Sequence, residues 1–194
     1  MIILDPGHGF NTPGKRSPVW PDGSQLFEWE FNREVARRTQ NRLEAMQIQS
    51  TILVREARDI SLKTRVERAN AIYEAYPDSF LVSIHANAGG GKGWEIYTSK
   101  GYTTSDRIAM FFYAAAQAFL SPYKLRTDYI DGDADKENDF YILRKTKCPA
   151  VLTENLFYDD PLECKFLMSE YGRELIAKMH AIAIQSYLKN THNE

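Results

Sequence analysis

Two short runs of almost continuous apolar residues most restrict the fold of this chain. They read "FLVSI" at residues 80–84 and "AVLTE" at residues 150–154. A strand with one solvated face alternates apolar and polar residues, whereas a strand buried on both faces of a parallel sheet is apolar almost throughout. Segments with helical periodicity separate the apolar runs along the chain. We therefore predict an α/β fold with three layers, in which helices cover both faces of a mostly parallel central sheet.

The remaining elements are predicted from apolar spacing and from capping residues. Apolar residues recur at three- and four-residue steps after Phe27, after the candidate N-cap Ser61 and around Phe112, which is typical of amphipathic helices. A last helical segment follows residue 161, and we expect it to be interrupted near Gly172. Further strands are predicted at residues 1–4, 50–54, 93–98 and 140–143, the last of which reads "FYIL".

Length and charge exclude several classes of protein. The chain has 194 residues with 24 basic and 26 acidic side chains, so no charge excess favours nucleic acid or a membrane surface as partner. It has neither an apolar stretch that could cross a bilayer nor the basic start of a signal peptide. Cys148 and Cys164 are too few for a disulfide scaffold, and we expect buried free thiols. We predict one domain over residues 1–194, without a linker or an internal repeat, that acts as a monomer.

An acidic segment, "DGDADKEND" at residues 131–139, alternates carboxylates in the manner of a calcium-binding loop. Lys136 stands where such a loop requires glycine, and no glutamate occupies its twelfth position. We therefore expect a solvated acidic loop here rather than a calcium site.

Candidate functional residues stand where predicted strands end. His8 comes soon after the first strand, His85 directly follows residues 80–84, and Glu154 ends residues 150–154. Open α/β sheets bind ligands outside the carboxyl ends of their strands. Two histidines and a carboxylate can hold a catalytic zinc ion and leave one position open. A further glutamate can then take a proton from water.

Glu28 and Glu30, at the start of the first helix, are further candidates because a helix N-terminus can lie at the same edge of the sheet. Other interpretations stay open on this evidence. A histidine at a strand end is often structural, and carboxylates in a first helical turn are favoured by the helix dipole. Glu154 is harder to explain structurally, since a buried carboxylate is costly without a partner.

Four blocks, in order along the chain, carry a family resemblance. They read "ILDPGHG", "LFEWEFN", "LVSIHAN" and "PAVLTENLF". Together they resemble the zinc-dependent N-acetylmuramoyl-L-alanine amidases, the family often called amidase type 3. The likeness extends from the first strand to the last helix, and the closing segment "GRELIAKMHAIAIQSYL" also resembles that family.

The resemblance implies one Zn²⁺ per chain. The family's two histidine ligands match His8 and His85. Its glutamate ligand lies four residues before an asparagine, here Asn32, and therefore matches Glu28 rather than Glu30. Two residues that are two apart at a helix start point in different directions, so only one of these carboxylates can face the ion.

The resemblance also implies a substrate, peptidoglycan with its muramyl peptides. The family cuts the amide between the lactyl group of N-acetylmuramic acid and the L-alanine of the stem peptide. Its catalytic glutamate matches Glu154, while Asn87 and Arg144 are candidates for substrate contact. Two alternatives remain: a zinc carboxypeptidase or other amidohydrolase acting on cell-wall peptides, and an inactive module that only binds peptidoglycan.

This chain departs from the family pattern at two points. The family often has two glycines after the first histidine, where Phe10 follows Gly9 here, and commonly has Gly-Phe where this chain has Leu156 and Phe157.

The resemblance implies action on the cell wall. The chain would be cytoplasmic until release if it is a phage-type lysin, and extracellular or periplasmic if it is cut from a secreted parent.

Overall fold

One mixed sheet organises the computed structural model, which describes residues 1–130 and 132–191. Its strands within these residues are β1 (Ile2–Pro6), β2 (Ser50–Ile52), β3 (Phe80–Asn87), β4 (Glu95–Thr98), β5 (Lys136–Glu137) and β6 (Ala150–Phe157). They lie side by side in the order β2-β1-β3-β6-β4-β5. The first four strands of that order are parallel, β4 is antiparallel to β6, and β5 is parallel to β4. The predicted mostly parallel sheet is confirmed.

Helices cover both faces of the sheet. They are α1 (Glu28–Ala45), α2 (Leu62–Ala75), α3 (Thr104–Phe119), α4 (Tyr141–Lys145), α5 (Pro161–Met168) and α6 (Glu170–Thr191). Successive side chains of a strand point to opposite faces. Ile2 and Leu4 of β1 accordingly join a buried cluster with α1, α3, α5 and α6. Ile3 joins a second cluster with α2 and α4. The three-layer prediction is therefore also confirmed.

The segment "FYIL" was wrongly predicted to be a strand. Phe140 is the N-cap of α4, and the amide of Arg144 donates to the carbonyl of Phe140, 3.0 Å away. Ile142 and Leu143 are buried against α2 and the sheet. A short apolar run cannot be assigned to strand or helix by periodicity alone. Here packing against α2 and the sheet favours the helix.

Residues 131–139 also differ from the expected solvated loop. Asp131 lies outside the described residues, but Asp135 is buried, and Lys136 and Glu137 form β5 at the edge of the sheet. A two-residue strand is too short to leave a pattern in a sequence.

The last helical segment is interrupted at Ser169, three residues before the expected position. The Ser169 hydroxyl accepts a hydrogen bond from the amide of Gly172, 2.9 Å away, in the manner of an N-cap. A Cβ atom on Gly172 would lie 2.0 Å from the carbonyl oxygen of Phe166, so glycine permits the close approach of α5 and α6. The break was predicted close to its observed position because Gly172 packs against the junction between α5 and α6.

Two further expectations can be compared with the structure. Cys148 and Cys164 are buried free thiols, as predicted. Within residues 1–130 and 132–191, no helix combines the length and the apolar character that a membrane span requires.

A buried ion pair joins the first strand to α2. Arg65 Nη1 lies against Asp5 Oδ1, both side chains are about 2% exposed, and the same nitrogen donates to the carbonyl of Pro6 at 2.8 Å. Asp5 also accepts a hydrogen bond from Ser83 of β3 at 3.0 Å. Loss of one partner leaves the other charge buried and uncompensated.

We predict that Arg65→Leu lowers the free energy of unfolding by about 3–5 kcal/mol, because it strands the Asp5 carboxylate. Arg68→Leu is the matched control, since Arg68 pairs with Glu56 at the surface and its loss should cost less than about 1 kcal/mol. Urea unfolding followed by circular dichroism measures both. If both variants lost less than about 1 kcal/mol of unfolding free energy, the buried ion pair would contribute no more to stability than the surface pair.

Candidate metal centre

Two histidines and one glutamate converge at the carboxyl edge of the parallel strands. His8, Glu28 and His85 each offer one ligand atom, and these atoms lie within 4.8 Å of one another. Glu28 Oε1 is 3.3 Å from His8 Nε2 and 3.1 Å from His85 Nδ1. The two imidazole rings meet edge to face with centroids 4.9 Å apart. Residues separated by up to 77 positions in the sequence thus form one compact group.

The backbone after β1 places His8 in this group. His8 has a φ of 60°, and its carbonyl accepts hydrogen bonds from Arg33 of α1 at 2.9 Å and from Arg65 of α2 at 3.1 Å. Glycine is required at position 7 because a Cβ atom there would lie 2.1 Å from Cε1 of His85 and would displace that ring. The Gly-His sequence therefore permits both the turn and the close packing of the two imidazoles.

Glu28 is the carboxylate that joins the histidines. It is the first residue of α1 and is 1% exposed. Its Oε1 accepts from the amide of Ala86 at 3.3 Å and from Asn32 Nδ2 at 3.4 Å, and Asn32 lies one helical turn further along. Glu30 is exposed and does not belong to the group. The geometry therefore favours Glu28 over Glu30.

The ionisation of these groups reflects their mutual contacts. Burial would raise the pKa of Glu28, but hydrogen bonds with His8 and His85 outweigh it and hold the pKa well below its usual range. Burial lowers the pKa of His8. Burial would also lower the pKa of His85, but the hydrogen bond with Glu28 and the charge of Glu154 raise it. The Glu28 carboxyl group is therefore ionised at neutral pH.

The group fits a zinc ion chemically. Imidazole nitrogens and a carboxylate oxygen are donors that zinc accepts, and three protein ligands leave a fourth position for water or substrate. The second oxygen of Glu28, Oε2, is buried without a hydrogen-bond partner. Its nearest cation is Lys15, with Nζ 4.0 Å away. A buried anionic oxygen of this kind is costly unless a cation compensates for it.

Glu154 stands beside the group rather than in it. It lies opposite His85 in the β3–β6 pairing and opposite Glu95 in the β4–β6 pairing. Its Oε2 is buried without a hydrogen-bond partner. Burial, with the charge of Glu28 adding to it and His85 opposing it, raises the pKa of Glu154 to about 7. A carboxyl group of this kind can both accept and return a proton near neutral pH.

An open cavity gives access to these residues. It has a volume of about 440 Å³ and is lined by His8, His85 and Glu154, together with Lys15, Arg65 and Tyr141 among others. A cleft with a few convergent polar groups and a perturbed pKa is typical of an active site.

Comparison with known proteins identifies the family. A family profile described as N-acetylmuramoyl-L-alanine amidase matches residues 2–186. The chain belongs to the N-acetylmuramoyl-L-alanine amidase family. The resemblance in the four sequence blocks is thereby confirmed.

Individual known proteins resemble the chain over most of its length. It is 30% identical over 185 residues to the N-acetylmuramoyl-L-alanine amidase CwlM of Bacillus licheniformis and 32% identical over 196 residues to the endolysin of Bacillus phage SPP1. These matches cover 93% and 97% of the chain but only 65% and 66% of the two relatives. The crystal structure of an N-acetylmuramoyl-L-alanine amidase from Clostridium difficile 630 superimposes with a TM-score of 0.83 at 28% identity, over 97% of this chain and 96% of that one.

The departure from the amidase pattern after Glu154 has a structural counterpart. Leu156 has a φ of 66° at the position where the family commonly has glycine, and its side chain is fully buried. Asn155, before it, donates from Nδ2 to the carbonyl of His85 at 2.8 Å. The chain thus has an unfavourable backbone conformation at Leu156, while Asn155 links β6 to the backbone of His85.

The two predicted substrate contacts, Asn87 and Arg144, lie outside the group formed by His8, Glu28 and His85. Asn87, at the end of β3, donates to Glu95 Oε1 at 3.4 Å. Arg144 is about half exposed at the end of α4, pairs with Asp139 at 2.7 Å, and lies over the ring of Tyr141. Neither belongs to the ligand group, and their contact with substrate stays a prediction.

Sequence reasoning missed residues that hold the group of His8, Glu28 and His85 in place. Arg65 could have been found, because it directly precedes Val66 and lies one helical turn before Ala69, which are the buried apolar residues of α2. Asn32 was recognised only as the family marker that identifies Glu28, and its hydrogen bond to Glu28 could have been predicted from its position one helical turn later. Arg33 left no signal, since its role depends on the path of the chain after His8.

We predict that Glu28→Gln weakens zinc binding by at least about 100-fold, because it removes the only anionic donor of the group. Glu30→Gln is the matched control and should bind zinc like the unaltered protein, since Glu30 is exposed. Zinc content after equilibrium dialysis, measured by atomic emission, distinguishes them. Loss of zinc from the Glu30 variant instead would reverse the assignment.

Proposed function

We propose that this chain is a zinc-dependent amidase that hydrolyses the bond between the lactyl group of N-acetylmuramic acid and the L-alanine of the peptidoglycan stem peptide. The observation that carries the proposal is the convergence of His8, Glu28 and His85 beside Glu154 in an open cavity. Membership of the amidase family supports the choice of bond. The chain corresponds to the catalytic domain of such an enzyme and acts on the cell wall as a monomer.

The ligand residues fix the geometry of the reaction. His8, Glu28 and His85 would hold the ion, and the cavity lined by His8, His85 and Glu154 would give the substrate access to it. When bound there, zinc supplies Lewis acidity, which polarises a carbonyl and makes water easier to deprotonate. Arg33 and Arg65 keep the His8 backbone in place, and Asn155 does the same for His85.

Glu154 carries out the proton transfers. It takes a proton from the attacking water and returns it to the nitrogen of the leaving L-alanine as the amide bond breaks. A raised pKa suits both steps, because the group must be a base first and an acid afterwards. Lys15 lines the cavity and adds positive charge where negative charge develops on the carbonyl oxygen.

Substrate contact extends beyond the reacting bond. Tyr141 lines the cavity, and Arg144 lies one helical turn away with its guanidinium 6.0 Å from the centre of the Tyr141 ring. We assign to Arg144 the recognition of an acidic group of the stem peptide, and to Asn87 a polar contact at the end of β3.

We predict that the protein releases intact stem peptides from purified peptidoglycan, with new lactyl carboxylates on the glycan. A chelator should abolish the release, and added zinc should restore it. Mass analysis of the soluble products tests this. Peptides cut between amino acids would instead indicate a carboxypeptidase, and binding to sacculi without products would indicate an inactive module.

We also predict that Glu154→Gln lowers turnover by roughly 10²–10⁴-fold, because it removes the group that transfers protons. Its zinc content should stay unchanged, since Glu154 is not one of the three ligands. Glu30→Gln serves as the matched control, with unaltered turnover. Near-normal turnover of the Glu154 variant would remove this residue from the mechanism.

A further inference from the structure

A second group of carboxylates lies apart from the histidine centre. Asp106 is in the first turn of α3, while Asp133 and Asp135 belong to the loop before β5. Each offers one oxygen, and these oxygens lie within 4.8 Å of one another. Asp106 is 1% exposed and Asp135 is 2% exposed. Two of the three carboxylates are therefore removed from water.

The hydrogen bonds around these carboxylates are incomplete. The hydroxyl of Thr98 lies 2.7 Å from Asp135 Oδ2 and 3.3 Å from Asp106 Oδ1, but it has one proton and can serve only one of them. Asp135 Oδ1 and Asp133 Oδ1 are buried and accept no hydrogen bond from another residue, apart from a proton that the two carboxyl groups can share. Buried oxygens without a donor are rare in folded proteins, so these two require an explanation.

The charges of the group are also uncompensated. None of the ion pairs found between residues of the described parts of the chain reaches Asp106, Asp133 or Asp135. The nearby Lys136 ammonium is directed to Glu95 of β4, 2.9 Å away. Burial, together with the neighbouring Asp133, raises the pKa of Asp135 to about 7. Three facing carboxylates with no counter-charge from this part of the protein are electrostatically unfavourable.

One oxygen of Asp106 is used by the helix cap, and the other faces the two aspartates of the loop. Its Oδ2 accepts hydrogen bonds from the amide and the hydroxyl of Thr103 in a capping box, which leaves Oδ1 directed to the group. Asp106 is therefore held in place by the helix cap, and the loop with Asp133 and Asp135 folds over it.

We propose that Asp106, Asp133 and Asp135 form a second metal site, which takes a hard divalent cation of the calcium type. All the donors are oxygens, which suit calcium and not the soft metals. Calcium–oxygen distances of about 2.3–2.6 Å place ligand oxygens of one ion within about 5 Å of one another, which agrees with the observed spacing. An ion here supplies the missing counter-charge and a partner for the buried oxygens.

The position of the site indicates its role. A bound ion ties the loop before β5 to the first turn of α3. Lys136 follows Asp135 directly, and its ion pair with Glu95 joins β5 to β4. Glu95 lies opposite Glu154 and accepts a hydrogen bond from Asn87. The cation therefore stabilises the edge of the sheet that supports the wall of the catalytic cavity.

The test uses zinc-loaded protein dialysed into calcium-free buffer, titrated with CaCl₂ by calorimetry and heated with and without CaCl₂. We expect one Ca²⁺ per chain at this site and a rise in Tm of roughly 5–10 °C at a concentration about 100-fold above Kd. The double variant Asp133→Asn/Asp135→Asn should lose both responses. In calcium-free buffer its Tm should equal or exceed that of the unaltered protein, because the substitutions remove the repulsion.

Two controls make the result specific. Asp139→Asn removes an exposed carboxylate of the same segment and should keep the calcium response. His8→Ala removes a ligand of the histidine centre and should also keep it, so the readout does not depend on amidase activity. Asp133→Asn alone, at a half-buried position, should weaken calcium binding at least tenfold and serves if the double variant does not fold.

Three results would overturn the proposal. The unaltered protein could fail to bind calcium, or the double variant Asp133→Asn/Asp135→Asn could keep the calcium response. Loss of the calcium response in His8→Ala would place the ion at the histidine centre instead. An equal rise in Tm with MgCl₂ would overturn the assignment to a calcium-type ion.

Discussion

The carboxylate of Glu28 is buried between the imidazoles of His8 and His85. This contact depends on the backbone around both histidines. Gly7 leaves room for His85, and the backbone of His8 adopts a left-handed conformation that turns its ring toward the carboxylate. The carbonyl of His8 is held by Arg33 from one helical layer and by Arg65 from the other. The loop after β1 is thus fixed from both faces of the sheet, which explains why two histidines and a glutamate from distant segments can form one compact group.

Charge is distributed differently in the two carboxylate groups of this protein. In the histidine centre, nitrogen donors face one buried carboxylate, so the pKa of Glu28 falls. In the aspartate group, carboxylates face one another, so the pKa of Asp135 rises. Opposite shifts in one small fold follow from the identity of the nearest charge rather than from burial, which acts in the same direction on both.

The strands and helices of this fold were predicted from sequence patterns of different strength. Long apolar runs and helical periodicity predicted the buried strands β3 and β6 and the helices α1 to α3, and the strand ends then indicated His8, His85 and Glu154. Glu28 could be separated from Glu30 only by resemblance, since both stand in the first turn of α1. The strand predicted at "FYIL" was wrong because four apolar residues fit either state, and the burial of Asp135 depends on packing against α3, which no local pattern records.

The outermost strands of the sheet are its shortest. β2 has three residues and β5 has two, whereas β3 and β6 at the centre have eight each. An edge strand exposes unpaired amides and carbonyls that a second chain can extend. Because both edges are so brief, and β5 carries a lysine and a glutamate, the long apolar strands offer little template for intermolecular pairing. The apolar runs that specify the fold are therefore kept away from the positions at which they would promote aggregation.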